Sequence, residues 1–309
     1  MGMSRTSISI VVVALNEQKR LPLLLKSIEV WLNSDAPLEV ILIDNGSVDG
    51  TLQIMRRYSD RYDSVRVLRY TGAFGSTWNL GVRLARGEYV VFMGADMALP
   101  SNWLNTFKEL VSRYKECDAF VAKLLPLFRY RGSLNDYIRG YFLGDTAEDG
   151  RWHEHTFHSG GLIVRREVAV KVGFKPNLAV AVDGDFSYRF LQHGYKACYL
   201  PSKYFVFDEQ YYDLSGFLRF FKKLGLGAVV LLRSTRSTAV AYTLLKTFLE
   251  PLTPHYLVLR YKRARSSVKI SHSIWILVGL VRLYIIFYTL ILYGILGKKI
   301  PTRVVRKKI

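Results

Sequence analysis

The chain has 309 residues, half of them hydrophobic, and a formal net charge of +19. This allows one large or two small domains with a sizeable core and excludes a small disulfide-stapled scaffold. The two cysteines, Cys117 and Cys198, make neither a metal-spaced cluster nor a disulfide framework, so a reducing, cytosol-facing compartment is the simplest reading.

The charge is unevenly spread. From Arg219 to the end there are eighteen Lys/Arg and one acid, Glu250, whereas the preceding residues hold twenty-six bases and twenty-four acids. A nearly neutral globular part therefore precedes a basic, apolar part. Such a tail suits nucleic acid or an anionic membrane surface, and its hydrophobicity decides for the membrane and against nucleic acid.

Ile8 to Leu15 (ISIVVVAL) is a continuous β-branched run, as expected of a buried parallel strand. Asn16 and Glu17 stand at its carboxyl end. The run is too short and too acid-bounded for a secretory signal. Helical spacing follows over residues 18–32 (Leu21, Leu24, Leu25, Ile28, Leu32). A second buried strand, Val40 to Ile43, ends in DNGSVDGT, residues 44–51. Leu52 to Tyr58 reads as a helix and Val65 to Leu68 as a third strand. This alternation predicts an α/β fold with a doubly wound, nucleotide-binding, Rossmann-like sheet.

Asn79 to Pro100 (NLGVRLARGEYVVFMGADMALP) opens with an amphipathic turn (Leu80, Leu84) and breaks at Gly87. A strand from Glu88 to Met93 follows, with Asp96 just beyond it. Ligands of open α/β sheets bind outside the carboxyl ends of strands, so Asp96 is a candidate metal or substrate ligand. Each polar residue here also suits a turn or a helix cap, with Asp49 or Ser47 capping the next helix. The combination is less generic, because Asn16-Glu17, Asp44 and Asp96 mark three strand ends of one crevice.

VVVALNE, IDNGSVDGT, NLGVRLARGEYVVFMGAD, HSGGLIVRREV (158–168) and VDGDFSYRFLQHGYKACYLP (182–201), in this order, resemble family 2 glycosyltransferases of the GT-A fold over residues 6–230. The resemblance implies that Ala14, Asn16, Glu17 and Asp44 hold nucleobase and ribose, with Gly72, Asn79 and Ala95 on the same nucleotide. It makes Asp96 the last member of an Asp-x-Asp element that ligates a divalent ion, Mn²⁺ or Mg²⁺. Gly94 stands at the first position, leaving one carboxylate. Asp183 matches the catalytic base, although Val182 replaces the Glu that usually precedes it. The implied chemistry is an inverting displacement at the anomeric carbon, with a carboxylate taking the acceptor proton and a cation taking charge on the diphosphate.

Asp185 and Arg189 share a face if this region enters a helix, and could pair there. With His158, Ser159, Gly160 and Gly161 they are assigned to the donor and acceptor side. The stretch from Ala119 to His158 is otherwise hard to read. Its His153, His155 and His158 admit a metal site, but in a neutral aromatic segment they read better as acceptor-site or surface residues.

Ile274 to Gly297 carries one charge, Arg282, and is long enough to span a bilayer, with Lys298-Lys299 stopping it. Arg282 is costly there and should face protein or a lipid phosphate. Thr238 to Leu259 is a weaker second run, and two spans are favoured. Phe217 to Gly227 is aromatic and basic, reading as an interfacial segment in which Arg219, Lys222 and Lys223 could meet donor diphosphate or lipid headgroups.

The expected organisation is a catalytic domain over 1–215, an interfacial segment over 216–236 and a membrane part over 237–309. The expected protein is a multi-pass membrane enzyme with its catalytic domain in the cytoplasm. It moves a hexose, first of all mannose from GDP-mannose, from a nucleotide sugar to a lipid-linked glycan acceptor, as in N-glycan precursor assembly. A UDP-sugar donor, a polyprenyl-phosphate sugar synthase and a non-catalytic membrane scaffold are the alternatives. A processive polysaccharide synthase is disfavoured, because no Gln-x-x-Arg-Trp element occurs in this neighbourhood.

Overall fold

A computed structural model describes residues 7–34, 37–126, 132, 134–137, 157–178, 180–207, 213–235 and 271–296. The chain divides into two units: Met1–Leu125, Ala147–Leu178 and Val182–Asp208 form the first; Pro126–Thr146, Ala179–Ala181 and Glu209–Ile309 form the second.

The first unit is built on one mixed sheet. Its strands are β1 (Ile8–Ala14), β2 (Leu38–Asp44), β3 (Val65–Arg69), β4 (Tyr89–Gly94), β5 (Met97–Ala98), β6 (Ala119–Pro126), β7 (Leu162–Arg165) and β8 (Ala197–Phe207), in the spatial order β3-β2-β1-β4-β7-β6-β8-β5. The first four are parallel, β7 runs antiparallel to β4, and β6 runs antiparallel to β7. The unbroken apolar run of β1 follows from burial on both faces. Ile8, Ile10, Val12 and Ala14 join one core with Leu21, Leu24, Leu25 and Ile28 of α1 (Leu21–Leu32) and with Met55 of α2 (Thr51–Ser59). Val11 and Val13 join the opposite core, with Trp78 and Val82 of α3 (Phe74–Leu84).

The third helix extends further toward the N-terminus than the amphipathic turn expected from Asn79 onward. Its early residues, FGSTW, carry little helical periodicity, and packing holds them. Gly81 lets α3 approach β1, since a β-carbon there would collide with Val11. A helix absent from the sequence reading, α4 (Trp103–Arg113), covers the first core through Trp103, Leu104 and Phe107.

The two cysteines correct an expectation. Cys117 and Cys198 are fully buried and form a disulfide, with Cα atoms 5.9 Å apart. They close a separation of 81 residues that sequence spacing does not reveal as a pair. The compartment expected from unpaired cysteines therefore loses its basis.

In the second unit, α7 (Leu214–Thr235) and α8 (His272–Thr289) lie side by side and run in the same direction. Arg282 stacks over Phe221 at 5.5 Å from the ring centroid, and Arg233 donates to the Tyr293 carbonyl. Gly225 gives the pair its close approach, since a β-carbon there would lie 2.9 Å from Thr289 Cβ. Arg282 is 3% exposed and faces protein, as its cost in an apolar helix requires. α8 continues through a π-helical turn, Leu290–Ile295, and Ser273–Ile295 is the one helix among the described residues long and apolar enough to cross a membrane. The run 238–259, and with it the second span, lies outside the described residues.

Candidate active site at the strand ends

Register places the nucleotide-side candidates on one edge. Ala14 pairs with Asp44 across β1 and β2, and Val13 pairs with Gly94 across β1 and β4. The carboxyl ends of three parallel strands are therefore level, and Asn16, Asp44 and Asp96 leave the sheet together. Because β7 is reversed, its start meets the end of β4, and the Gly161 N–H donates to the Phe92 carbonyl at 2.9 Å. This brings His158, Ser159 and Gly160 to that edge. Gly161 holds φ of +72°, which a side chain would oppose. His158 Nδ1 lies 2.9 Å from the Gly160 carbonyl, which fixes the ring close to that turn.

The loops after β1 and β2 are knitted together. Asn16 has φ of +58°, which Asn tolerates, and its N–H donates to Ser47 Oγ while its Oδ1 accepts from the Val48 N–H, both at 2.9 Å. The Glu17 N–H donates to Thr51 Oγ1 at 2.8 Å, and the Gln18 N–H donates to Asp49. Asp44 is fully buried, accepts from the Ser47 N–H at 3.1 Å and pairs with Arg69 Nε at 3.5 Å. Asn45 and Gly72 exchange two hydrogen bonds, 2.9 and 3.3 Å, closing the β2 and β3 loops on one another. Gly50 is the N-cap residue of α2, and the Asp49 side chain accepts from the helix's first N–H, that of Thr51, at 3.0 Å. Burial raises the Asp49 carboxyl, but donors on Thr51 and Gln18 outweigh this and hold it below the ordinary value.

Asp96 stands at the end of this edge, with a third of its side chain exposed. A single, partly exposed carboxylate suits a Mg²⁺ or Mn²⁺ ion completed by phosphate oxygens and water, not a protein-only cage. Ala95, expected on the nucleotide, is buried. Sequence reading missed Arg20. Its Nε and Nη2 hold one Glu17 oxygen at 2.7 and 2.6 Å, and its Nη1 lies 4.0 Å from Asp96 Oδ2.

Asp183 lies in the first turn of α6 (Val182–Gln192), half-buried, its Oδ1 accepting from the Gly184 N–H at 2.9 Å. An aromatic chain fixes this helix against β4: Phe92 to Phe174 at 5.2 Å, Phe174 stacked on Phe186 at 4.4 Å, and Phe190 against Phe157 at 5.5 Å. Phe157 adjoins His158, so one aromatic run steadies both the base candidate and the reversed strand's entrance.

Three residues expected on the ligand side make scaffold contacts. Asp185 and Arg189 do pair, at 2.8 Å, but Asp185 is fully buried and also meets Lys175 Nζ at 2.7 Å. Arg189 further donates to the Val172 and Gly173 carbonyls, beyond α5 (Arg166–Val172). Asn79, expected on the nucleotide, donates to the Phe174 carbonyl at 2.7 Å and accepts its N–H at 2.8 Å. Residues 172–175 are thus gripped from α3 and from α6. Arg219, Lys222 and Lys223 are exposed on α7 in the second unit, where Arg219 takes Ser215 Oγ at 2.7 Å. His153 and His155 lie outside the described residues.

The family model described as glycosyl transferase family 2 matches residues 9–173. Glycosyltransferase AglE of Haloferax volcanii is 27% identical over 100 residues, covering 31% of this chain and 33% of that protein. Dolichyl-phosphate beta-glucosyltransferase of Dictyostelium discoideum is 27% identical over 121 residues, covering 36% of this chain and 37% of that protein. The matches thus span about a third of these relatives' length. Among solved structures, mannosyltransferase PcManGT from Pyrobaculum calidifontis in complex with GDP-Man and Mn²⁺ has a TM-score of 0.61 at 16% identity, over 96% of this chain and 88% of that one. Residues 1–349 of S. aureus TarS, solved with UDP-GlcNAc, have a TM-score of 0.53 at 16% identity, over 94% and 92%. These likenesses identify the sheet as the GT-A fold.

Proposed function

Because this chain belongs to glycosyl transferase family 2, we propose that it is a membrane-bound inverting glycosyltransferase moving a hexose from a nucleotide sugar to a lipid-linked glycan. The observation that carries this reading is the level edge of β1, β2 and β4. There a knitted loop pair, suited to a nucleoside, adjoins a lone exposed carboxylate suited to a diphosphate-bound metal ion.

Asn16, Asp44 and the Asn45–Gly72 closure form the nucleoside side. Asp96 would hold Mn²⁺ or Mg²⁺, which when bound takes up charge on the departing diphosphate. Asp183 accepts the proton of the attacking hydroxyl, whose oxygen forms the new bond to the anomeric carbon as the bond to the diphosphate breaks. His158 to Gly161 border the sugar. Mannose from GDP-mannose is the first donor to test, because the PcManGT fold accepts GDP-Man; UDP-sugars come next, because TarS binds UDP-GlcNAc. The apolar helix Ser273–Ile295 and the basic face of α7 support a membrane-side acceptor.

A second reading makes a polyprenyl phosphate the acceptor, and the local likeness to dolichyl-phosphate glucosyltransferases favours it. A phosphate attacks without a general base, so Asp183→Asn separates the two. Transfer to a lipid-linked glycan should fall by about 10²–10⁴-fold, and transfer to a lipid phosphate far less.

The deciding experiment follows the thermal stability of the detergent-purified protein with GDP-mannose, UDP-glucose and UDP-N-acetylglucosamine, with and without Mn²⁺. Only a ligand of the folded state raises stability. A metal-dependent shift with one donor, lost in Asp96→Ala, is the expected result. No shift with any donor, together with no transfer, would replace the enzyme by a membrane scaffold.

A further inference from the structure

Arg20 is a cation at the strand ends to which the sequence reading assigns no part. We propose that it is a built-in counter-ion of Asp96, which keeps divalent cations off this carboxylate until a nucleoside diphosphate arrives, so that metal and donor load together. The proposal rests on reading the strand-end crevice as a nucleotide-sugar site.

The guanidinium is held in place and is not a roaming surface charge. Two of its nitrogens sit on one oxygen of Glu17, at 2.7 and 2.6 Å, and the third faces Asp96 Oδ2 at 4.0 Å. Glu17 is itself anchored, its N–H on Thr51 Oγ1 and its carbonyl accepting from the N–H groups of Arg20 and Leu21. The partner side is tied to the same helix, because the Leu99 N–H donates to Ser27 Oγ of α1 at 3.0 Å. Arg20 and Asp96 therefore face each other across a spacing set by the fold. Their side chains are 23% and 34% exposed, so solvent screens the pair only in part.

Arginine cannot relieve repulsion by losing its proton. A divalent ion on Asp96 must share the carboxylate with this fixed positive charge, which Glu17 offsets only from its far side, and position 94 supplies no second carboxylate to the ion. A bound diphosphate reverses the balance, since its negative charge attracts both cations at once. Metal and nucleotide affinities are then positively coupled, and by linkage each strengthens the other equally.

The test measures Mn²⁺ binding to the detergent-purified full chain by electron paramagnetic resonance of the free ion, with and without saturating GDP or UDP. In the native protein, nucleoside diphosphate should tighten Mn²⁺ by about tenfold or more. Arg20→Gln should bind Mn²⁺ alone about tenfold more tightly than the native protein and show coupling weakened by about the same factor, the part owed to direct phosphate ligation remaining. Arg20→Lys, which keeps a charge but not the fork that fixes it, should fall between the native protein and Arg20→Gln, and Asp96→Asn added to Arg20→Gln should cancel the gain. Unchanged nucleotide-free Mn²⁺ affinity in Arg20→Gln, or a gain that survives Asp96→Asn, would overturn the proposal. A missing gain with nucleotide binding intact removes the role of Arg20 alone. If neither GDP nor UDP binds, the donor assignment falls, and the coupled loading falls with it.

Discussion

The carboxylate of Asp96 fills the space above Gly94: a β-carbon at residue 94 would collide with Asp96 Oδ1. The missing first acid of the metal element is therefore matched by the conformation of the second. Gly94→Asp should leave the fold intact, because the atom that must move ends a flexible side chain. It should displace the working carboxylate and lower Mn²⁺-supported kcat on the order of 10²-fold, as misplaced catalytic groups do. A rise in activity would show instead that a two-acid site can be rebuilt here.

Asn79 exchanges two hydrogen bonds with the backbone of Phe174. Asn79→Ala removes two hydrogen bonds to buried backbone and should cost about 2–3 kcal/mol in a denaturant titration. Its affinity for GDP or UDP, measured on the folded fraction, should stay within about twofold of native. Loss of nucleotide affinity at unchanged stability would return Asn79 to the nucleotide side.

Asp185 joins two cations in the interior. Truncating it leaves Arg189 facing the Val172 and Gly173 carbonyls without its counter-charge, while Lys175, 41% exposed, can turn to solvent. Asp185→Ala should destabilise by about 3 kcal/mol, near the lower end for a broken buried pair. A loss below about 0.5 kcal/mol would mean that Arg189 finds full compensation at the carbonyls alone.

Glu39 gives the first unit an acid-sensitive joint. Burial raises its carboxyl, but Ser9 Oγ at 2.5 Å, the Arg86 N–H at 2.6 Å and Arg66 at 2.7 Å outweigh burial and hold it below its ordinary value. A lowered carboxyl contributes its stability in full above the unfolded value, and loses it as the pH falls through the folded one. Stability should thus decline from about pH 5 downward, with a shallower slope in Glu39→Gln. Parallel pH profiles for the two proteins would remove Glu39 from the account.

The Cys117–Cys198 bridge closes a long loop and, in a chain-entropy account, contributes about 4 kcal/mol. Melting under strong reductant, or in a Cys117→Ser, Cys198→Ser protein, should occur several degrees lower. Equal melting temperatures with and without reductant would show that the bridge contributes nothing to the folded state.

The donor half of the crevice was legible because buried parallel strands write themselves as unbroken apolar runs. Ile8–Ala14 leads into Asn16, Leu38–Asp44 ends in Asp44, and the register of the sheet sets these ends level. The acceptor half was only partly legible. Residues 158–168 stood out by their resemblance to the family, but the reversal of β7 is a pairing with β4 that no local pattern states. Asn79 and Asp185 look alike as ligand or scaffold in sequence, and only their contacts with Phe174 and Lys175 decide. Arg20 stayed hidden because its approach to Asp96 depends on how α1 lies against β5.

The reversed strand has a consequence of its own. A crevice bordered only by outgoing parallel strands is shaped by whatever follows each strand. Here the opposite bank is an entrance, formed by Phe157 to Gly161. The two banks thus answer to separate stretches of the chain. Exchanging residues 157–161 for those of a relative should leave the loops knitted among residues 16–72 as they were. One bank can then vary while the other stays constant.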